Sequence, residues 1–223
     1  MTPTPHTIAV IGGTGAEGSG LAIRLAHAGH RVIIGSRDAA KSAQVCAELA
    51  ALSPGAQLEA ASNRDAAAAA QIAILTVPHS VQQATALDLR EQLAGKILID
   101  ATVPLVPPKV ARVQLPEGGS AVAALQKLLG ETVKVVAAFQ NVSAHHLRDL
   151  THSVDCDVLV CGDDIPARET VIGLVRDVGL RGVHAGPIAN AAAAEALTSV
   201  LIAINIRYKV PGTGIRITGL PSE

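Results

Sequence analysis

The 223-residue chain carries 18 Lys+Arg against 19 Asp+Glu, a formal net charge of −1. That balance speaks against nucleic acid or an anionic membrane surface as a partner. Aromatic residues make up 1% of the chain, which removes the stacking platforms of single-strand binders and leaves Ala, Val, Leu and Ile to build the core.

The first element is an apolar strand, Thr7-Ile8-Ala9-Val10-Ile11, running into Gly12-Gly13-Thr14-Gly15-Ala16-Glu17-Gly18. Gly13, Gly15 and Gly18 have the G-x-G-x-x-G spacing. In that motif the first glycine takes the tight turn, the second lets backbone approach a pyrophosphate, and the third lets the helix pack closely on the strand. The helix N-terminus supplies free N–H groups and a positive dipole end for the anion. A helix-forming run follows to Ala28-Gly29, then a second strand, Arg31-Val32-Ile33-Ile34-Gly35-Ser36, so the motif sits inside a complete βαβ unit.

The end of that second strand selects the dinucleotide. NAD sites usually place an acid there to accept from the ribose 2′-OH. This chain has Ser36-Arg37, with Lys41 one helical turn on. A hydroxyl, a guanidinium fork and an ammonium suit a 2′-phosphate, so the pattern points to NADP.

Further along, the pattern predicts a helix over 39–52, a short strand at 57–60 and an alanine-rich helix from 63 to 70. A fourth strand, 72–78, is apolar throughout, as a parallel strand covered on both faces should be. It ends in Val77-Pro78-His79, where Val77 and Pro78 offer an apolar ledge to a nicotinamide. His79 beside them suits a ribose or phosphate contact, a place in the helix start, or a proton shuttle. A helix is expected over 80–93 and a strand at 96–100. Asp100 reads as a structural residue satisfying loop backbone, and Thr102 lies at the carboxyl edge. A Pro- and Gly-rich loop covers 106–119, then a helix to 129 and a strand at 134–138.

The cluster Phe139-Gln140-Asn141-Val142-Ser143-Ala144-His145-His146 follows at a strand end. Adjacent His residues point to different faces and lack an acidic or thiol partner at helical spacing, so no metal is expected. A strand from 157, a helix over 165–178, a short strand at 180–184 and a last helix over 191–206 complete the pattern. That last helix is apolar almost all round, which calls for burial; a homodimer interface would provide it. A soft boundary near Asp155 divides a binding domain, 1–155, from a small C-terminal unit, 156–223. The expected fold is α/β, a Rossmann-type doubly wound parallel sheet with a small C-terminal helical extension.

Cys46, Cys156 and Cys161 match no disulfide framework or common zinc spacing and read as small buried hydrophobes. Residues 1–6 carry no leader pattern, and no stretch reaches the length of a membrane span. A soluble cytoplasmic protein is therefore expected.

Gly12-Gly13-Thr14-Gly15 with Gly18, Gly35-Ser36-Arg37 and Thr76-Val77-Pro78 together resemble the NADPH:F420 oxidoreductases. The runs Val158-Leu159-Val160-Cys161-Gly162-Asp163-Asp164 and Ala185-Gly186-Pro187-Ile188-Ala189-Asn190, with Glu195-Ala196-Leu197-Thr198 after them, carry the resemblance through nearly the whole chain. It implies reversible hydride transfer between NADPH and the deazaflavin coenzyme F420 in a small, dimerising Rossmann protein. By resemblance, Thr14, Gly15, Ala16 and Glu17 form the pyrophosphate loop, and Ser36, Arg37 and Lys41 the 2′-phosphate site. Val77, Pro78 and His79 lie by the ribose and nicotinamide, while Gln140, Asn141, Ala144 and the tail around Thr213 wall the deazaflavin side. No catalytic acid or base is implied.

Two residue pairs depart from the family pattern: Ala16-Glu17 stands where Asn-Leu is expected, and Gln140-Asn141 where His-Thr is expected. A carboxylate at Glu17 beside a pyrophosphate is unfavourable unless the side chain turns outward. Two rival readings of the fold remain, a reductase of small imines or carbonyls and an NADP-sensing domain.

Overall fold

The computed structural model describes residues 5–220; residues 1–4, read above as free of a leader pattern, lie outside them. The elements run β1 (Thr7–Ile11), α1 (Ala16–His27), β2 (Arg31–Ser36), α2 (Ala39–Leu52), β3 (Leu58–Ser62), α3 (Asn63–Ala69), β4 (Ile72–Leu75), α4 (His79–Asp88), α5 (Arg90–Leu93), β5 (Ile97–Asp100), α6 (Ala121–Leu129), β6 (Lys134–Ala137), α7 (Ala144–Leu147), β7 (Asp157–Val160), α8 (Ile165–Asp177), β8 (Arg181–His184) and α9 (Ala191–Tyr208).

The first six strands form one parallel sheet in the order β3-β2-β1-β4-β5-β6. Chain direction across the sheet reverses between β1 and β4, the point where doubly wound folds open a crevice at the strands' carboxyl ends. Side chains alternate between two buried layers. Ile8, Val10, Ile34, Ile74 and Val136 pack with α1, α2 and α8. Ala9, Ile11, Ile33, Leu75 and Val135 pack with α3 to α6. Small residues on the second face let alanine-rich α3 lie close against the sheet.

β7 and β8 pair parallel in a sheet of their own, joined to the edge of the main one by an antiparallel bridge between Cys161 and Ala137. Val158, Val160, Val171 and Val175 share the core of the first layer.

Several expectations need correction. The predicted helix over 80–93 is two, parted at Leu89, whose ψ of 4° leaves the helical region. Leu89 is buried, and turning it inward breaks the helical register. The third strand runs to Ser62 rather than 60, because Ser36 and Ser62 still pair. The short helix α7 was not expected.

The predicted absence of a membrane-length stretch also fails. Ile188–Tyr208, with mean hydropathy 1.4, is long and apolar enough to cross a membrane by length and composition. Here it packs on α6, and its Glu195 is buried. The expectation that α9 needs burial on more than one face stands against exposed Val200, Ile206 and Tyr208.

Candidate active site

A cleft of about 910 Å³ opens along the carboxyl ends of β2, β1, β4 and β5. It gathers Thr14, Gly15, Ala16, Glu17, Ser36, Arg37, Lys41, Val77, Pro78, His79, Thr102 and Gln140, which the sequence places on five separate stretches.

The loop between β1 and α1 is held from three sides. Gly12 has φ +75° and Gly13 does not, so the tight turn falls one residue earlier than the motif suggests. A Cβ on Gly13 would lie 2.8 Å from the Val10 carbonyl oxygen, and one on Gly18 would lie 2.5 Å from Thr76 Oγ1. Both glycines therefore serve packing behind the loop. Gly15 differs: the nearest atom to its Cβ would be 3.8 Å away. Nothing in the protein needs Gly15 bare, and the open space above it fits a pyrophosphate approaching backbone. Asn63 steadies the turn by accepting from the Gly12 N–H at 3.3 Å.

At the β2 end, Arg37 and Lys41 are exposed. Ser36 Oγ accepts from the Asp38 N–H at 3.0 Å, leaving its own hydroxyl hydrogen for a ligand. Asp38 also borders the cleft, but its carboxylate caps α2 by accepting from the Lys41 N–H. That carboxylate is spent on the helix, and the basic pair dominates this end.

The β4 and β5 ends form the other half. Thr76 Oγ1 donates to the Ile11 carbonyl at 3.0 Å, tying β4 to β1. Asp100 is buried, accepting from the Thr102 N–H and from the Gln82 amide; it holds loop backbone, as expected. Burial, against the Thr102 and Gln82 hydrogen bonds, pushes its carboxyl up to about 6. Glu17 turns into the cleft rather than outward, and desolvation, helped by Asp100, pushes it up to about 8. The inward position is tolerable because the carboxyl is neutral there.

Gln140 closes the far wall. Phe139 takes φ +77°, a left-handed turn that sends successive side chains apart. Gln140 Nε2 donates to the Asp100 carbonyl at 2.6 Å, and the Gln140 carbonyl accepts from Thr198 of α9 at 2.6 Å. Asn141 faces away: its amide donates to the Asp157 carbonyl at 2.6 Å and it is buried behind the wall. It is a brace for β7, not a cleft residue. Ala144 begins α7 outside the cleft lining. Thr213 lines a separate cavity of about 290 Å³ with Ser143, His146 and Cys156. No metal-ligating cluster was found among the described residues.

Sequence reasoning missed Gly12, Asn63, Thr85, Val103, Leu105 and Thr198, all but Gly12 on loops or helices that reach the cleft only through the fold. Gly12, inside the motif itself, was the one with a signal.

The family model for NADP oxidoreductase, coenzyme F420-dependent, matches residues 7–104. An F420-dependent NADP reductase of Methanothermobacter thermautotrophicus is 42% identical over 97% of this chain and 96% of its own length. That of Methanocaldococcus jannaschii is 41% identical over 96% of this chain and 98% of its own. Among solved structures, a provisionally named F420-dependent NADP-reductase of Arthrobacter sp. FB24 superposes with a TM-score of 0.80 at 27% identity, covering 96% of this chain and 99% of that one. The glycine loop, the basic end of β2 and the full-length similarity make this chain a member of the F420-dependent NADP reductase family.

Proposed function

We propose that this chain transfers a hydride reversibly between NADPH and coenzyme F420. The observation that carries the reading is the similarity over nearly the full length to reductases named for that reaction. The cleft supports it with room for a dinucleotide and a second ring system at one opening.

Thr14, Gly15, Ala16 and Glu17 hold the pyrophosphate through backbone. Ser36, Arg37 and Lys41 receive the 2′-phosphate. Val77, Pro78, His79 and Thr102 flank the ribose and nicotinamide. Gln140 faces the deazaflavin side, with Asn141, Ala144 and Thr213 shaping that wall from outside the cleft. At the nicotinamide and deazaflavin end, His79 Nδ1 and Gln140 Oε1 are buried polar atoms without a partner in the protein. The two coenzymes supply the hydride chemistry. The chain's part is to align the rings and exclude water, so the rate gain is mainly one of orientation.

The unit 1–155 binds NADP, and 156–223 completes the cleft through Thr198. Exposed Val200, Ile206 and Tyr208 on α9 support a homodimer. Three free cysteines suit a soluble protein in the reducing cytoplasm. The test is absorbance at the deazaflavin band on mixing the chain with F420 and NADPH, with NADH as control. Bleaching with NADPH and little with NADH is expected. No bleaching, with NADPH still bound, would refute F420 as acceptor.

A further inference from the structure

We propose that Asn63 is a specificity-determining residue for the nicotinamide cofactor: its side-chain amide donates to the 2′-phosphate of NADP(H) from the β3 side, facing Arg37 and Lys41. The proposal rests on the reading of the cleft as the NADP(H) site.

Strand register places the residue. β2 and β3 run parallel and pair through Ser36 and Ser62. Asn63 therefore stands one step past that pair, level with Arg37, with adjacent strands about 4.8 Å apart. Asn63 and Arg37 both line the cleft, together with Gly12 and Ser36. Two contacts fix the path of its side chain. Asn63 Oδ1 accepts from the Gly12 N–H at 3.3 Å. A Cβ on Gly35 would lie 2.9 Å from the same Oδ1 and 3.3 Å from Asn63 Cα. Asn63 thus reaches from the end of β3 to the end of β1, across a point of β2 that carries no side chain.

The same contacts decide which end of the amide meets a ligand. With Oδ1 held by a backbone donor, the orientation of the amide is settled and Nδ2 keeps two N–H groups. Nδ2 has no hydrogen-bond partner among the described residues, and the residue is only half-buried. Capping of α3 does not need Asn63. Ser62 Oγ accepts from the Asp65 N–H at 3.1 Å and donates to Asp65 Oδ2 at 2.7 Å.

The charges at this end of the cleft suit a phosphate. The carboxylates of the flanking stretches are engaged within the protein: Asp38 accepts from the Lys41 N–H, Asp65 from Ser62 and Glu59 from Arg31 at 2.7 Å. Arg64 turns away, donating to the Asp88 carbonyl at 3.0 Å. Two cations remain from the side of β2 and α2, and one neutral donor from the side of β3. An acid at the place of Asn63 would accept from a 2′-OH and repel a 2′-phosphate; the amide does the reverse.

The test titrates the full chain with NADPH and with NADH, without F420, in the wild type, Asn63→Ala and Asn63→Asp. Asn63→Ala should raise the ratio Kd(NADPH)/Kd(NADH) about tenfold, the worth of a hydrogen bond to a charged group. Asn63→Asp keeps an oxygen for the Gly12 N–H and sets a negative charge against the phosphate, so the ratio should rise further. A residue that only steadied the Gly12 turn would weaken both nucleotides alike in Asn63→Ala and leave the ratio of Asn63→Asp at the wild-type value. Either result would overturn the proposal while leaving the NADP site intact. Asn63→Asp, which retains the brace on the turn, decides alone if Asn63→Ala does not fold. A wild type that binds NADPH no better than NADH would overturn the site reading as well.

Discussion

Arg37 makes no packing contribution that its removal would disturb, being exposed at the rim of the cleft. Arg37→Ala should therefore leave folding unchanged and weaken NADPH about 10- to 100-fold, the worth of a charge-assisted phosphate contact. NADH, which lacks the phosphate, should change little; equal losses for both would contradict the assignment. Gly18 is the opposite case. A methyl there would press on Gly13 Cα at 2.8 Å as well as on Thr76. Gly18→Ala should cost about 1–3 kcal/mol in thermal unfolding and loosen nucleotide binding with it.

Asp100 gives a pH dependence whose sign is fixed by its burial. A carboxyl whose folded-state pKa is raised destabilises the fold as it ionises, and the cost is complete above the folded value. From the ordinary 3.8 up to about 6 this costs at most about 3 kcal/mol. Asp100→Asn removes the cost, and Gln82 can turn its unpaired Oε1 to accept from the new amide. The wild type should lose stability relative to Asp100→Asn as pH rises from about 4 to about 6. Parallel denaturation curves at both pH values would refute this.

Periodicity marked the strands well, because a parallel strand buried on both faces is apolar at every position, as Ile72–Leu75 is. The β1–α1 motif was legible for a different reason, since local turn chemistry alone writes it. The break at Leu89 was illegible: Leu87 and Leu89 look alike in sequence, yet one is 42% exposed and the other 3%. The helix α7 was illegible for another reason. Its position depends on buried Arg24, distant in sequence, which donates to the carbonyls of His146, Leu147, Asp149, His152 and Val178. The inward path of Gln140 and the outward path of Asn141 follow from the Phe139 turn, which no propensity scale favours for an aromatic residue. Arg24→Met should leave those carbonyls short of donors and open residues 143–152 to solvent. Hydrogen exchange there should rise by an order of magnitude or more, with the β1–β4 amides unaffected; uniform loosening would contradict a local role.

The proposed association has its test on α9. Its inner side carries Glu195, which caps α6, and Thr198, which holds the Gln140 wall. Its outer side leaves Ile206 66% and Tyr208 72% exposed. Burial of that face against a second copy predicts a particle of twice 22.7 kDa in light scattering. Ile206→Asp should convert it to monomer, and a monomeric wild type would refute the interface.

The reaction itself is tested most directly by following the hydride. NADPH carrying deuterium at both C4 positions is mixed with F420 and the chain in ordinary water, and the reduced coenzyme is examined by mass spectrometry and NMR. Transfer between the stacked rings predicts deuterium at C5 of the deazaflavin. Reduced coenzyme without deuterium at C5, or no reduction at all, would contradict it.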